Sequence, residues 1–137
     1  VDVIVENLNK YGLGNSKLVN AINVVVTDEG ISIMMNSEYA LFVEYGTGIV
    51  GLNDKHPKFS EHGWEYDVNN HGEEGWWYPT VESDPNPTKR YTESGIYAWT
   101  KGMRSRPFMY DSWLWGTRSV NNIINKHIRR ELGKLEG

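Results

Sequence analysis

From Ser105 to Leu135 the chain offers a capping serine, a proline fit for a first helical turn (Pro107), and then Val120, Ile124, Ile128, Leu132 and Leu135 at helical spacing. The pattern predicts one long C-terminal helix. In a chain of 137 residues that helix takes up a large share of the backbone, and what precedes it must supply everything else. One domain spanning residues 1–137 is the expectation.

The preceding sequence reads as strands, short helices and loop. "INVVVTDEGISIMMN" has two β-branched runs around Asp28-Glu29-Gly30, a hairpin pattern beginning near Ala21. In "SEYALFVEYGTG" the residues Tyr39, Phe42, Val43 and Gly46 recur at steps of three and four. Ser37 can cap the start, so a short helix ending at Gly46 is predicted. Residues 51–75 are polar, rich in Asn, Gly and His, and read as a long loop. "GWWYPTVE" and "RYTESGIYAWT" read as two strands pairing antiparallel across a proline-bearing connection. The class is therefore α+β: a small antiparallel sheet packed against the long C-terminal helix.

"GTGIVG" completes a G-x-G-x-x-G at Gly46, Gly48 and Gly51, the spacing of a dinucleotide loop. Such a loop needs a buried strand before it and a sustained helix after it, because the helix N-terminus holds the pyrophosphate. "LNDKHPKF" cannot sustain a helix past Pro57, and no βαβ pattern follows. The glycines read instead as conformational, with Gly46 stopping a helix and Gly48 letting the chain turn; Glu44 reads as a structural carboxylate. No cofactor is expected.

Other chemistry is thinly supported. With no cysteine there is neither disulfide nor thiolate metal site, and no Gly-x-Ser-x-Gly elbow occurs. His56, His62 and His71 share their loop with several acids, an inventory for a metal-dependent hydrolase. No pair has the spacing that puts two imidazoles on one helix face, so exposed loop histidines and no metal are expected. No apolar run reaches the roughly 18 residues of a membrane span and no signal-peptide pattern opens the chain, so a soluble, unexported protein is expected.

Charge and aromatics point toward assembly. Residues 1–90 hold 14 acids and 6 bases, whereas 91–137 hold 4 acids and 8 bases, a polarity that suits head-to-tail stacking of copies. Sixteen of the 17 aromatics lie between Tyr39 and Trp115, more than a small core needs, which implies a protein partner or a stacked sugar ring.

The stretch "YALFVEYGTG", Tyr39 to Gly48, resembles a signature of the small neck proteins of long-tailed double-stranded DNA bacteriophages, the tail-completion or head-tail joining family. "LVNAINV" (Leu18 to Val24) is similar to that family's segment leading into the first strand, with Ala21 where serine is common. "RPFMYDS" (Arg106 to Ser112) is similar to its Pro-Phe-Met opening of the final helix. The three pieces keep the family's order. Members usually begin with a long amphipathic helix, for which the residues before Gly12 are few, and the 51–75 insert is bulkier than the pattern requires.

The resemblance implies a non-enzymatic virion protein assembled in the host cytoplasm. Copies would form a ring around the DNA channel, joining the head-side connector to the tail-tube or tail-terminator proteins while duplex DNA passes without specific binding. It implies assembly roles for Tyr39, Phe42, Val43, Glu44, Tyr45, Gly46, Thr47 and Gly48 and for Pro107, Phe108 and Met109; Trp76, Trp77 and Tyr78, outside the matched pieces, are contact candidates as part of the aromatic-rich stretch. A tail terminator capping the tail tube is the nearest alternative. The metal-dependent hydrolase and a tryptophan-built carbohydrate-binding module are the alternatives of other classes.

Overall fold

The computed structural model describes residues 1–67, 70 and 73–136 and is α+β. The chain divides into two compact units, one of residues 1–36 together with the segment from Phe108 onward, the other Ser37–Pro107.

In the first unit, α1 (Asp2–Lys10) carries an acid in its first turn and a base in its last, matching the helix dipole. Its Ile4 and Leu8, one turn apart, are buried, and α1 packs on the long helix α5 (Phe108–Glu136). Two polar ties fix that packing: the Asn7 amide donates to Ser112 Oγ at 2.9 Å and the Tyr11 hydroxyl to Asp111 Oδ2 at 2.8 Å. Phe108 is wholly buried at the head of α5. The helix α2 (Lys17–Asn20) is capped by Ser16, whose Oγ accepts from Leu18 N–H.

The predicted hairpin forms as β1 (Ile22–Thr27) and β2 (Gly30–Met35), antiparallel with Thr27 opposite Gly30 around a two-residue turn. Nearly all of it is exposed, including Val24, Val26, Ile31 and Ile33. The C-terminal stripe is likewise uncovered, with Val120, Ile124, Ile128 and Leu132 each about half exposed (48–55%) and Leu135 at 84%.

The second unit begins with α3 (Glu38–Tyr45), which ends at Gly46 as its spacing predicts, and Ser37 takes the N-cap position without a side-chain bond. A six-residue helix, α4 (Gly48–Asn53), follows directly, so the predicted loop starts at Asp54 rather than Gly51. The strands are β3 (Trp76–Thr80), β4 (Lys89–Thr92) and β5 (Gly95–Thr100), in the order β3-β5-β4, all antiparallel. "RYTESGIYAWT" is thus a hairpin and not one strand, because Glu93-Ser94 with Gly95 makes a two-residue turn; β5 becomes the central strand and its Ala98 is fully buried. Pro79 sits on the edge strand β3, where its missing N–H costs no ladder bond. Ser105 does not cap α5; its hydroxyl donates to the Glu44 carbonyl at 2.6 Å, and the helix starts just after Pro107. Among the described residues no helix is long and apolar enough to cross a membrane.

Candidate functional site

The decapeptide Tyr39–Gly48 is the scaffold of the second unit. Past Gly46 the chain runs beside residues 101–106, tied by Thr47 N–H to Met103 O (2.8 Å), Met103 N–H to Thr47 O (3.1 Å) and Arg106 N–H to Val43 O (2.9 Å). That approach is close enough to require glycine. Gly46 has φ 79°, and a β-carbon there would lie 2.7 Å from Met103 O and Ser105 N. Gly48, at φ 61°, would place one 2.4 Å from Lys101 O.

The helix that follows the glycines does not convert the motif into a nucleotide loop. Three of its first four backbone donors are already engaged: Gly48 N–H donates to Tyr66 O at 2.8 Å, Val50 N–H to Lys101 O at 3.3 Å and Gly51 N–H to Thr47 O at 2.9 Å. The element before the turn is a helix, whereas a dinucleotide site needs a strand.

Glu44 and His56 form the electrostatic centre. Both are buried, and His56 Nε2 lies 3.0 Å from Glu44 Oε1. The Lys58 backbone N–H donates to His56 Nδ1 at 3.0 Å, so Nδ1 carries no proton and Nε2 carries the one donated to the carboxylate. Neutral histidine in a fixed tautomer therefore faces Glu44. Around this pair the Tyr45 ring packs on the imidazole at 4.3 Å between centroids and stacks on Trp64 at 5.0 Å. Trp64 Nε1–H donates to Gly46 O at 3.0 Å, and His56 N–H donates to the Tyr66 hydroxyl oxygen at 3.0 Å. These contacts fold the start of the long loop onto the α3–α4 turn.

Burial raises the Tyr45 phenol above its ordinary 10.0, with the Glu44 carboxylate adding to the rise. Burial also raises Tyr66, offset by its bond from His56 N–H. A group whose folded value is raised contributes stability that is complete below the unfolded value and lost as pH climbs through the folded one. Unfolding followed by circular dichroism is therefore expected to show stability constant toward pH 10 and falling above it, and Tyr45→Phe is expected to flatten that fall.

Beside this cluster the second unit holds a cavity of about 950 Å³. Tyr39, Phe42, Trp64, Trp76 and Tyr78 wall it, and Glu65 and Asp84 are its carboxylates. Asp84 accepts from the Thr80 hydroxyl, from Asn86 N–H (2.7 Å) and from the Tyr78 hydroxyl (3.0 Å). The Thr80 bond, followed by that from Asn86, holds its pKa below the ordinary 3.8, so the cavity contains a carboxylate ionised at neutral pH.

The residues singled out from sequence separate into distinct places. Tyr39 and Phe42 are exposed at 49% and 44%, whereas Val43, Glu44, Gly46 and Gly48 are buried and Tyr45 and Thr47 half-buried. Trp76 and Tyr78 line the cavity. Trp77 instead meets Trp99 across the sheet at 5.3 Å, with the Arg90 guanidinium 4.8 Å over its ring. Pro107 and Met109 are half-buried and Phe108 lies in the core of the first unit. Of the loop histidines, His56 is committed to Glu44, His62 is exposed with its ring edge on Tyr45, and His71 lies outside the described residues. Among the described residues no three of His, Asp and Glu stand close enough to hold a metal ion.

Sequence reading missed the Glu44–His56 pair and the part of Trp64, Glu65 and Asp84 in the cavity. Glu44 and His56 are 12 residues apart, Trp64 and Gly46 18, and the cavity walls come from segments far apart in sequence, where no periodicity reports contact. No protein-family model, no curated protein and no solved structure matches this chain.

Proposed function

We propose that the chain is a structural subunit of the head-tail junction of a long-tailed bacteriophage. Copies assemble as a ring around the DNA channel and join the head connector to the tail. The family resemblance of Tyr39–Gly48 gives the class, and one structural observation supports an assembling subunit: two apolar surfaces stand uncovered in a single chain. A two-stranded hairpin bearing exposed Val24, Val26, Ile31 and Ile33 is marginal alone, and a helix with a half-exposed stripe from Val120 to Leu132 leaves burial unclaimed. Contiguous apolar area of this kind marks protein contact surfaces. The motif's buried members, Glu44, Gly46 and Gly48, hold the turn, and Tyr39 and Phe42 present side chains outward.

Electron microscopy of virions labelled with an antibody to this chain tests the proposal. Label at the head-tail junction is expected; label along the tail or on the capsid shell, or none, overturns it. Label that stays with tails purified away from heads identifies the chain as the tail terminator instead.

The aromatic cavity favours one second reading, a carbohydrate-binding module, since sugar rings stack on such walls and carboxylates bond their hydroxyls. Trp76 lines the cavity and Trp77 does not, so a glycan array bound by the protein and lost in Trp76→Ala would establish that reading.

A further inference from the structure

We propose that copies associate by seating the exposed C-terminal part of α5 of one copy in the aromatic cavity of the Ser37–Pro107 unit of the next. The inference rests on the ring assembly above and names its contact surfaces.

On the helix side, Val120, Ile124, Ile128 and Leu132 follow one another at steps of four, each about half exposed, along roughly 18 Å of helix at 1.5 Å per residue. This is the anchor spacing of an amphipathic helix laid into a groove. Residues 117–135 carry five bases (Arg118, Lys126, Arg129, Arg130 and Lys134) against the single acid Glu131, a net charge of +4.

On the receiving side, residues 37–107 hold eleven acids and seven bases, a net charge of −4. The cavity's walls are aromatic, with Tyr39 and Phe42 exposed at its edge and the ionised Asp84 within. Aromatic faces accept branched aliphatic side chains and attract the cations beside them, and Asp84 and Glu65 supply the opposite charge.

Charge decides between the two occupants that a second copy could offer. Pairing α5 with α5 would bury the same stripes but set +4 against +4 along the whole contact, and like charges facing each other across an interface oppose association. Pairing α5 with the cavity sets +4 against a lining that carries the carboxylates Glu65 and Asp84 and, among the described residues, no Lys or Arg, on a unit of net charge −4. Because the two surfaces differ, the contact is heterologous, the type that repeats from copy to copy and forms a ring when the rotation between copies closes.

The chain has no cysteine, so single replacements report contacts cleanly. Ile128→Cys and Phe42→Cys, both at exposed positions, are purified separately, mixed in equal amounts and oxidised, with light scattering on the unoxidised mixture reporting association. The expected result is a disulfide-linked pair containing one copy of each variant, absent from either variant alone and several-fold weaker at 1 M salt, where screening leaves roughly a 3 Å Debye length. Ile128→Cys copies linking to each other overturn the inference. So does association in light scattering without the mixed link, an outcome that leaves the ring reading standing. Monomers at every concentration with no link overturn it as well, and the head-tail reading is then decided by the antibody label.

Discussion

His56→Ala lowers stability in urea unfolding by about 3–5 kcal/mol, the combined cost of leaving a buried charged group short of a hydrogen bond and removing a packed ring. The substitution takes away the Nε2–H that meets Glu44 Oε1 at 3.0 Å, leaving a buried carboxylate short of a donor, and removes the ring on which Tyr45 packs. Because the proton resides on His56 and the charge on Glu44, the pair is asymmetric. Glu44→Gln keeps an acceptor oxygen for His56 and is expected to cost about 1 kcal/mol, the net worth of an ordinary hydrogen bond. If Glu44→Gln costs as much as His56→Ala, the pair is an ion pair and the histidine is charged. The readout extends to Trp64, which stacks on Tyr45 and donates to Gly46 O, so its fluorescence should shift in His56→Ala before global unfolding.

Gly48→Ala is the second large effect, about 2–4 kcal/mol in the same assay. Part is the roughly 1–2 kcal/mol cost of a side chain at left-handed dihedrals, and part is displacement of the Lys101 carbonyl, which a β-carbon would approach to 2.4 Å. A backbone atom cannot rotate aside as a side chain can. The neighbouring donation from Gly48 N–H to Tyr66 O at 2.8 Å is therefore strained too, and loosening should spread to the loop that Tyr66 anchors. A nucleotide loop would respond differently, keeping its stability and losing a ligand. A Gly48→Ala protein as stable as the parent would remove the conformational account of these glycines.

Regular elements could be read because their signals are local. The helix stop at Gly46, the hairpin around Asp28-Glu29 and the long final helix each follow from periodicity and turn chemistry within a few residues. The division of "RYTESGIYAWT" at Glu93-Ser94 was available in the same signals, since Gly95 ends a two-residue turn; the alternation on either side masked it. The short helix α4 was hidden by its two glycines, which lower helix propensity. Bonds from Val50 to Lys101 and Gly51 to Thr47 help hold it, and the first of these spans 51 residues.

The sequence by itself determined the α+β class, the final helix and its apolar stripe, the glycine stop after Tyr45 and the opposite charges of the two ends. Each depends on residue type and near-neighbour spacing, which a linear reading contains. Only the tertiary structure decided that His56 belongs to Glu44, that the glycines admit residues 101–105, that Trp76 faces a cavity while Trp77 stacks on Trp99, and that the stripe on α5 remains uncovered. Those facts depend on which distant segments meet. Contact between distant segments is set by packing and burial summed over the whole chain, so no local pattern encodes it.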